Sequence, residues 1–376
     1  MNSTLLNGSL PLQPMIKKND SNSSRAVAIW LFIGVGMLIF QVLLGGITRL
    51  TGSGLSITEW KIATGVFPPL NQQQWLSEFE KYKQTDQFRY VNFDFTLPDF
   101  KFIFFWEWLH RLWGRLIGIV FMIPFFIFLI QRRLRREMIK PFIILFLLGG
   151  LQGLVGWIMV KSGLQGDAIY VAPARLALHF IFAIVLVCYT FWFALQLSIH
   201  AQKKIFHSPI NRFTWVIISL TMIQLIFGAL MAGHKAAAYA YTWPDINGSY
   251  FPTGMFNHGM TSLVENKITI HFIHRNLGYV IFILMLFWTI KARGINVSAF
   301  FNKIKFYPPV LVLIQVILGI SSVVSSVKVV PNRWGAFEWM AQLHQLNAIF
   351  FLLSLVLIVF VVNNKDSHLY SQLKGQ

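Results

Sequence analysis

Long apolar stretches broken by shorter polar ones dominate the chain. Eight of them, at about 27–48, 102–130, 141–160, 174–199, 213–233, 268–290, 306–327 and 339–362, come near the ~20 residues that a helix needs to cross a bilayer. The pattern predicts an all-α integral membrane protein with eight transmembrane helices. The first outer connection, residues 52–101, is far longer than the rest. Within it Asn71 follows Pro68 and Pro69, and Trp75, Phe79 and Tyr82 recur at i, i+4 and i+7. This predicts a capped amphipathic surface helix over the mouth of the first bundle, either an interfacial anchor or a lid.

Two signatures alternate along the apolar segments. Gln-x-x-x-Gly occurs in the odd ones (Gln41/Gly45, Gln152/Gly156, Gln224/Gly228, Gln315/Gly319) and a lone histidine near the start of each even one (His110, His179, His274, His344). The histidine gaps within the two halves are 69 and 70 residues, so a four-helix unit is duplicated. Aligning the copies gives offsets of 183, 164, 163 and 165, which places about 19 extra residues in the first outer loop. The expected organisation is two pseudo-twofold-related four-helix bundles, 27–199 and 213–362. A tail (1–26) precedes them, 200–212 links them, and a second tail (363–376) follows.

Composition agrees with a membrane protein: 55% hydrophobic residues, 36 Phe and 12% charged residues do not make a soluble surface. The net charge of +18 does not point to nucleic acid, because it is one-sided. Residues 1–26, 131–140, 200–212, 291–305 and 363–376 hold 17 Lys/Arg against 3 acids, and the rest holds 15 against 11. The positive-inside rule then puts both termini and these loops in the cytoplasm, and all four histidines in the outer half of the membrane. The first 25 residues contain neither a hydrophobic signal peptide nor an Arg-rich transit sequence. A bacterial cell inner membrane is expected, ahead of a mitochondrial one.

Cys188, the single cysteine, excludes an intrachain disulfide and a covalent Cys-x-x-Cys-His haem attachment, and is expected to be a small buried side chain. One intramembrane histidine is usually a hydrogen-bonded core residue, but four at matched depth on alternating helices point to function. Paired imidazoles on facing helices suit two haem irons. Zinc would require three or four converging ligands. His200, His207, His234, His258 and His368 lie in loops or at helix ends and are not expected to be ligands. The Gln-x-x-x-Gly pairs have a packing explanation, small residues and amides at helix interfaces, with a ligand border as the alternative. Arg111 and Arg275 directly follow the first histidine of each pair. Haem propionate contact and simple snorkelling are equally good readings of them.

The halves differ at one position. Glu107 precedes His110 by three residues, whereas His271 precedes His274. A residue three before a helical ligand shares its face, so a carboxylate is expected to face one haem site and not the other. That asymmetry implies proton chemistry or cation stabilisation in the first half only.

The stretch EFEKYKQTDQFRYVNFDFTLPDFKFIFFWEWLHRLWGR, with GGITRLTGSGLSITEWK before it and YTWPDINGSYFPTG and HFIHRNLGY after it, resembles the haem A synthase family over roughly residues 27–362. The resemblance implies oxidation of the C8 methyl group of haem O to the formyl group of haem A, by two hydroxylations and loss of water. It implies that His110 and His179 hold substrate haem O, that His274 and His344 hold a haem b cofactor, and that Glu107 is the motif glutamate. A haem O synthase partner and an electron donor would follow, and a homo-oligomer is open. Some bacterial members carry a cysteine pair in the first outer loop, which this chain lacks. It resembles the branch with the longer acidic loop, since residues 52–101 contain six of the 14 acids. The competing reading is a dihaem b electron carrier, such as a quinol-oxidising cytochrome, against which the Glu107/His271 difference argues. A transporter would also duplicate its halves, but the outward position of the histidines and the parallel repeat disfavour it.

Overall fold

Each predicted span folds as a helix, and most run further than hydropathy alone marks. In a computed structural model that describes residues 18–59, 66–165, 168–328 and 334–363, the first half consists of α1 (Lys18–Leu50), α4 (Leu97–Ile130), α5 (Arg136–Lys161) and α6 (Pro173–Ser198). Short helices α2 (Gln72–Lys83) and α3 (Asp86–Tyr90) lie in its long loop. The second half consists of α7 (Ser208–Gly233), α10 (Lys267–Arg293), α12 (Tyr307–Ser325) and α13 (Ala336–Val362), with short pieces α8 (Ala236–Tyr239), α9 (Ser262–Glu265) and α11 (Ala299–Ile304). Residues 1–17 and 364–376, and so the far parts of both expected tails, lie outside the described residues, as do 60–65 of the long loop. Eight helices among the described residues are long and apolar enough to cross a membrane.

Local chemistry explains the starts of these helices. Pro98, Pro173 and Pro209 sit in first turns, where a missing N–H has no consequence. Thr96 and Asp99 form a capping box on α4. Asn266 caps α10 by accepting from the N–H groups of Ile268 (2.9 Å) and Thr269 (3.1 Å).

The helix neighbours repeat between halves: α1 packs on α4 and α6, and α7 packs on α10 and α13, while α5 lies on α6 as α12 lies on α13. Across the middle, α6 meets α7 and α13 meets α1, with α6 against α13 between them. That is the pattern of a pseudo-twofold. The main core fills this junction, where Ile184, Ile217, Met285, Trp288 and Ile358 are fully buried. Consequently α13 is the most enclosed long helix, and α4 turns its apolar surface outward.

The two seams that join the halves are not alike. Between α1 and α13, Gln342 and Gln345 donate to the carbonyls of Leu43 (3.3 Å) and Val42 (3.0 Å), and Arg49 lies within electrostatic reach of buried Glu338. The related seam between α6 and α7 is apolar, built from Ala177, Ala229 and Leu230 with Phe180 beside them.

The surface helix expected in the long loop is present and lies on the first bundle. Asn71 does cap α2, accepting from the Gln74 N–H (2.9 Å). However, Phe79 and Tyr82 are buried against Phe100 rather than turned to a bilayer, and Trp75 meets Phe104 edge-on. α4 makes this possible. It begins 13 residues before His110, whereas α10 begins 7 before His274, and the difference is roughly 9 Å of extra helix.

Candidate functional site

Every odd-numbered span presents its glutamine and glycine to the histidine of the span that follows. The Gln41 amide donates to the His110 carbonyl (3.1 Å), Gln152 to that of His179 (3.1 Å) and Gln224 to that of His274 (2.8 Å). The same amides lie 3.3–3.5 Å from a ring nitrogen. The fourth pair is different: the Gln315 amide lies 3.1 and 3.2 Å from the two ring nitrogens of His344.

The glycines make room for the rings. A Cβ on Gly45, Gly156, Gly228 or Gly319 would stand 3.2, 2.7, 3.1 or 2.9 Å from the Cε1 of His110, His179, His274 or His344. The packing reading of Gln-x-x-x-Gly holds, with a histidine of the next helix as the group packed. The small residue admits an imidazole, and the amide holds the backbone of the residue that carries it. The fit is reciprocal, because a Cβ on Gly114 or Gly278, four residues after His110 and His274, would crowd the amides of Gln41 (3.5 Å) and Gln224 (3.3 Å). Ala183 and Ala348 occupy the equivalent places in the other two pairs. A His-x-x-x-small repeat was thus present in the sequence as a signal for the cradle.

The histidines pair as their spacing predicts. His274 and His344 have ring centroids 6.2 Å apart, and His110 and His179 lie within electrostatic reach of one another. Two imidazole nitrogens at the ~2.0 Å of a metal–imidazole bond, on opposite sides of one ion, put ring centres roughly 6 Å apart. The Nδ1 atoms of His179 and His274 are buried without a partner among the described residues. Each pair thus holds one histidine with an orphaned ring nitrogen, and two imidazoles facing each other are a donor set that fits haem iron.

Glu107 and Arg111 are bound to each other and to the long loop between α1 and α4. Glu107 is 2% exposed. One of its oxygens meets Arg111 Nη2 at 2.5 Å. The other accepts from Ser56 Oγ (2.7 Å) and the Ile57 N–H (2.9 Å). Arg111 also donates to the Ile57 carbonyl (3.2 Å). In the second half, Arg275 Nη2 is 3.0 Å from His271 Nε2, and Arg275 donates to the carbonyls of Thr242 (2.9 Å), Pro244 (3.0 Å) and Asp245 (2.5 Å). Both arginines thus clasp the loop that enters their bundle. Arg111 does so with a buried ion pair to Glu107, and Arg275 with His271 beside it and Asp245 within electrostatic reach.

The residues that sequence reasoning missed lie in that loop. Gln87 donates to the Gly52 carbonyl (3.2 Å) and accepts from the Tyr82 hydroxyl (3.0 Å), to which Asn92 donates (2.8 Å). Burial pushes the Tyr82 hydroxyl up to about 12, so it stays a neutral donor. These contacts fix the turn that presents Ser56 and Ile57 to Glu107. Cys188 is part-buried against the main core, as expected. His234 and His258 sit at helix ends in the loop between α7 and α10, where His234 Nε2 lies 2.7 Å from the Val264 carbonyl.

The family model described as cytochrome oxidase assembly protein, COX15-CtaA, matches residues 28–356. The chain is 37% identical over 336 residues to the haem A synthase of Flavobacterium psychrophilum, covering 88% of this chain and 96% of that protein. It is 40% identical over 289 residues to that of Parvibaculum lavamentivorans (76% and 82% covered). For the haem A synthase of Caulobacter vibrioides the identity is 41% over 274 residues, with 73% and 80% covered.

Proposed function

The chain belongs to the COX15-CtaA family of cytochrome oxidase assembly proteins, and from that premise we propose how its two halves divide the work of a haem A synthase. The protein is a multi-pass membrane oxidoreductase that converts the C8 methyl group of haem O to the formyl group of haem A. His110 and His179 hold the substrate haem O, and His274 and His344 hold a resident haem b. Bound there, the resident haem supplies one-electron chemistry.

The observation that carries this division is the pair Glu107 and His271. The two positions are related by the duplication, both are buried, and each contacts the arginine one turn on. Only the first is a carboxylate. Glu107 is the catalytic carboxylate, stabilising positive charge that develops beside the oxidised methyl or taking up its proton. Ser56, Ile57 and Arg111 hold it in place, and the loop packed over α4 keeps water from that end of the bundle. Arg111 and Arg275 serve the propionate edges of the two haems by charge while they anchor the loops. The site operates in a bacterial inner membrane with both termini cytoplasmic, next to a haem O synthase and an electron donor.

The test is Glu107→Gln, followed by extraction and chromatography of the bound haems. Haem O accumulation with loss of haem A is expected. A normal haem A yield without haem O would remove Glu107 from the chemistry.

A further inference from the structure

Three of the four histidine cradles leave polar atoms open, and one is closed. The side-chain carbonyls of Gln41, Gln152 and Gln224 are buried without a partner among the described residues, and so are the Nδ1 atoms of His179 and His274. In the fourth cradle Gln315 Oε1 accepts from Asn347 Nδ2 (2.7 Å), which also donates to the Leu311 carbonyl (2.9 Å). The Nδ1 of His344 lies 3.1 Å from the Gln315 carbonyl. Asn347 stands three residues after His344. The corresponding positions after the other histidines are Trp113, Phe182 and Leu277; Phe182 and Leu277 have no donor, and Trp113 Nε1 donates to the Met37 carbonyl (3.0 Å) instead.

We propose that Asn347 and Gln315 lock His344 in one tautomer and one ring orientation, so that it would hold the resident haem as a fixed ligand while the other three stay adjustable. A ring whose Nδ1–H is donated to a backbone carbonyl presents Nε2 as its lone pair, and the donation raises the basicity of that nitrogen. Asn347 works one step further out. By holding the Gln315 amide it orients the helix turn whose carbonyl receives the proton. A site that keeps its haem gains from such a lock, whereas a site that admits haem O and releases haem A does not. Asn347 is therefore a positioning residue, and the inference rests on the assignment of His344 to the resident haem.

The full-length protein with its haems is the material for the test. Asn347→Leu keeps the volume and removes the donor, and Asn347→Ser keeps a hydroxyl donor. The readouts are the low-spin ferric resonance signals of the haems and their midpoint potentials. Asn347→Leu is expected to move the signal and raise the potential of one haem only, since a less basic imidazole favours the ferrous state. Asn347→Ser should restore both toward wild type. Retained haem with unchanged signals and potential in Asn347→Leu would overturn the proposal, and so would equal changes at both haems. If Asn347→Leu loses the haem altogether, its return in Asn347→Ser supports the lock and its absence from both variants counts against it. His344→Ala separates this from the underlying assignment: two unchanged haem signals there would show that His344 is no ligand, whatever Asn347 does.

Discussion

The two halves of this protein share a scaffold and differ in what they attach to it. In both, a glutamine and a glycine on one helix receive a histidine from the next, and an arginine after the first histidine clasps the incoming loop. The amino-terminal half adds a carboxylate, a longer α4 and a folded loop on top. The carboxy-terminal half has His271 in place of the carboxylate, and Asn347 closes its second cradle. The cradle is thus what the two halves have in common, and the proposed chemistry belongs to the half where Glu107 breaks the symmetry.

The cradle is the most sensitive part of the shared scaffold. Gly156→Ala and Gly319→Ala, whose Cβ atoms would stand under 3.0 Å from a histidine ring, are expected to abolish haem binding in their own half. Gly228→Ala and Gly45→Ala, at 3.1 and 3.2 Å, should only reduce it. Haem stoichiometry of the purified variants measures the series, and equal retention in all four would break the cradle account.

The arginine clasps should come next, and should separate the halves. Arg111→Met leaves Glu107 buried and unpaired, a defect that typically costs about 3–5 kcal/mol. Arg275→Met removes hydrogen bonds to neutral groups, so a loss of about 1.5–3 kcal/mol is expected. Thermal unfolding in detergent, with protease sensitivity of each loop, gives the order, and a reversed order would show that the ion pair contributes little. The polar seam gives the smallest effect. Gln345→Leu removes one buried hydrogen bond between α1 and α13 and is expected to lower stability by about 1 kcal/mol, with both haems retained.

Much of this was legible in the sequence, and the failures have physical causes. Eight spans, the duplication and the four histidines follow from hydropathy and spacing, because the bilayer imposes both. The cap at Asn71 and the face formed by Phe79 and Tyr82 were also readable. What covers that face was not, since the answer lies in the extra turns of α4 around Phe100. The packing role of Gln-x-x-x-Gly was legible, but not that a histidine is what packs there, because a small residue looks the same whether it admits a helix or an imidazole. Likewise the partners of Glu107, Ser56 and Ile57, are some 50 residues away in sequence, and no local pattern marks them.

The central claim is that the first histidine pair holds the haem that is changed and the second the haem that stays. Haem extraction and pyridine haemochrome analysis of His110→Ala and His274→Ala, each purified beside the wild type, test it most directly. The account predicts haem b without haem O or haem A in His110→Ala, and loss of haem b in His274→Ala. Loss of haem b from His110→Ala with retention in His274→Ala would contradict it.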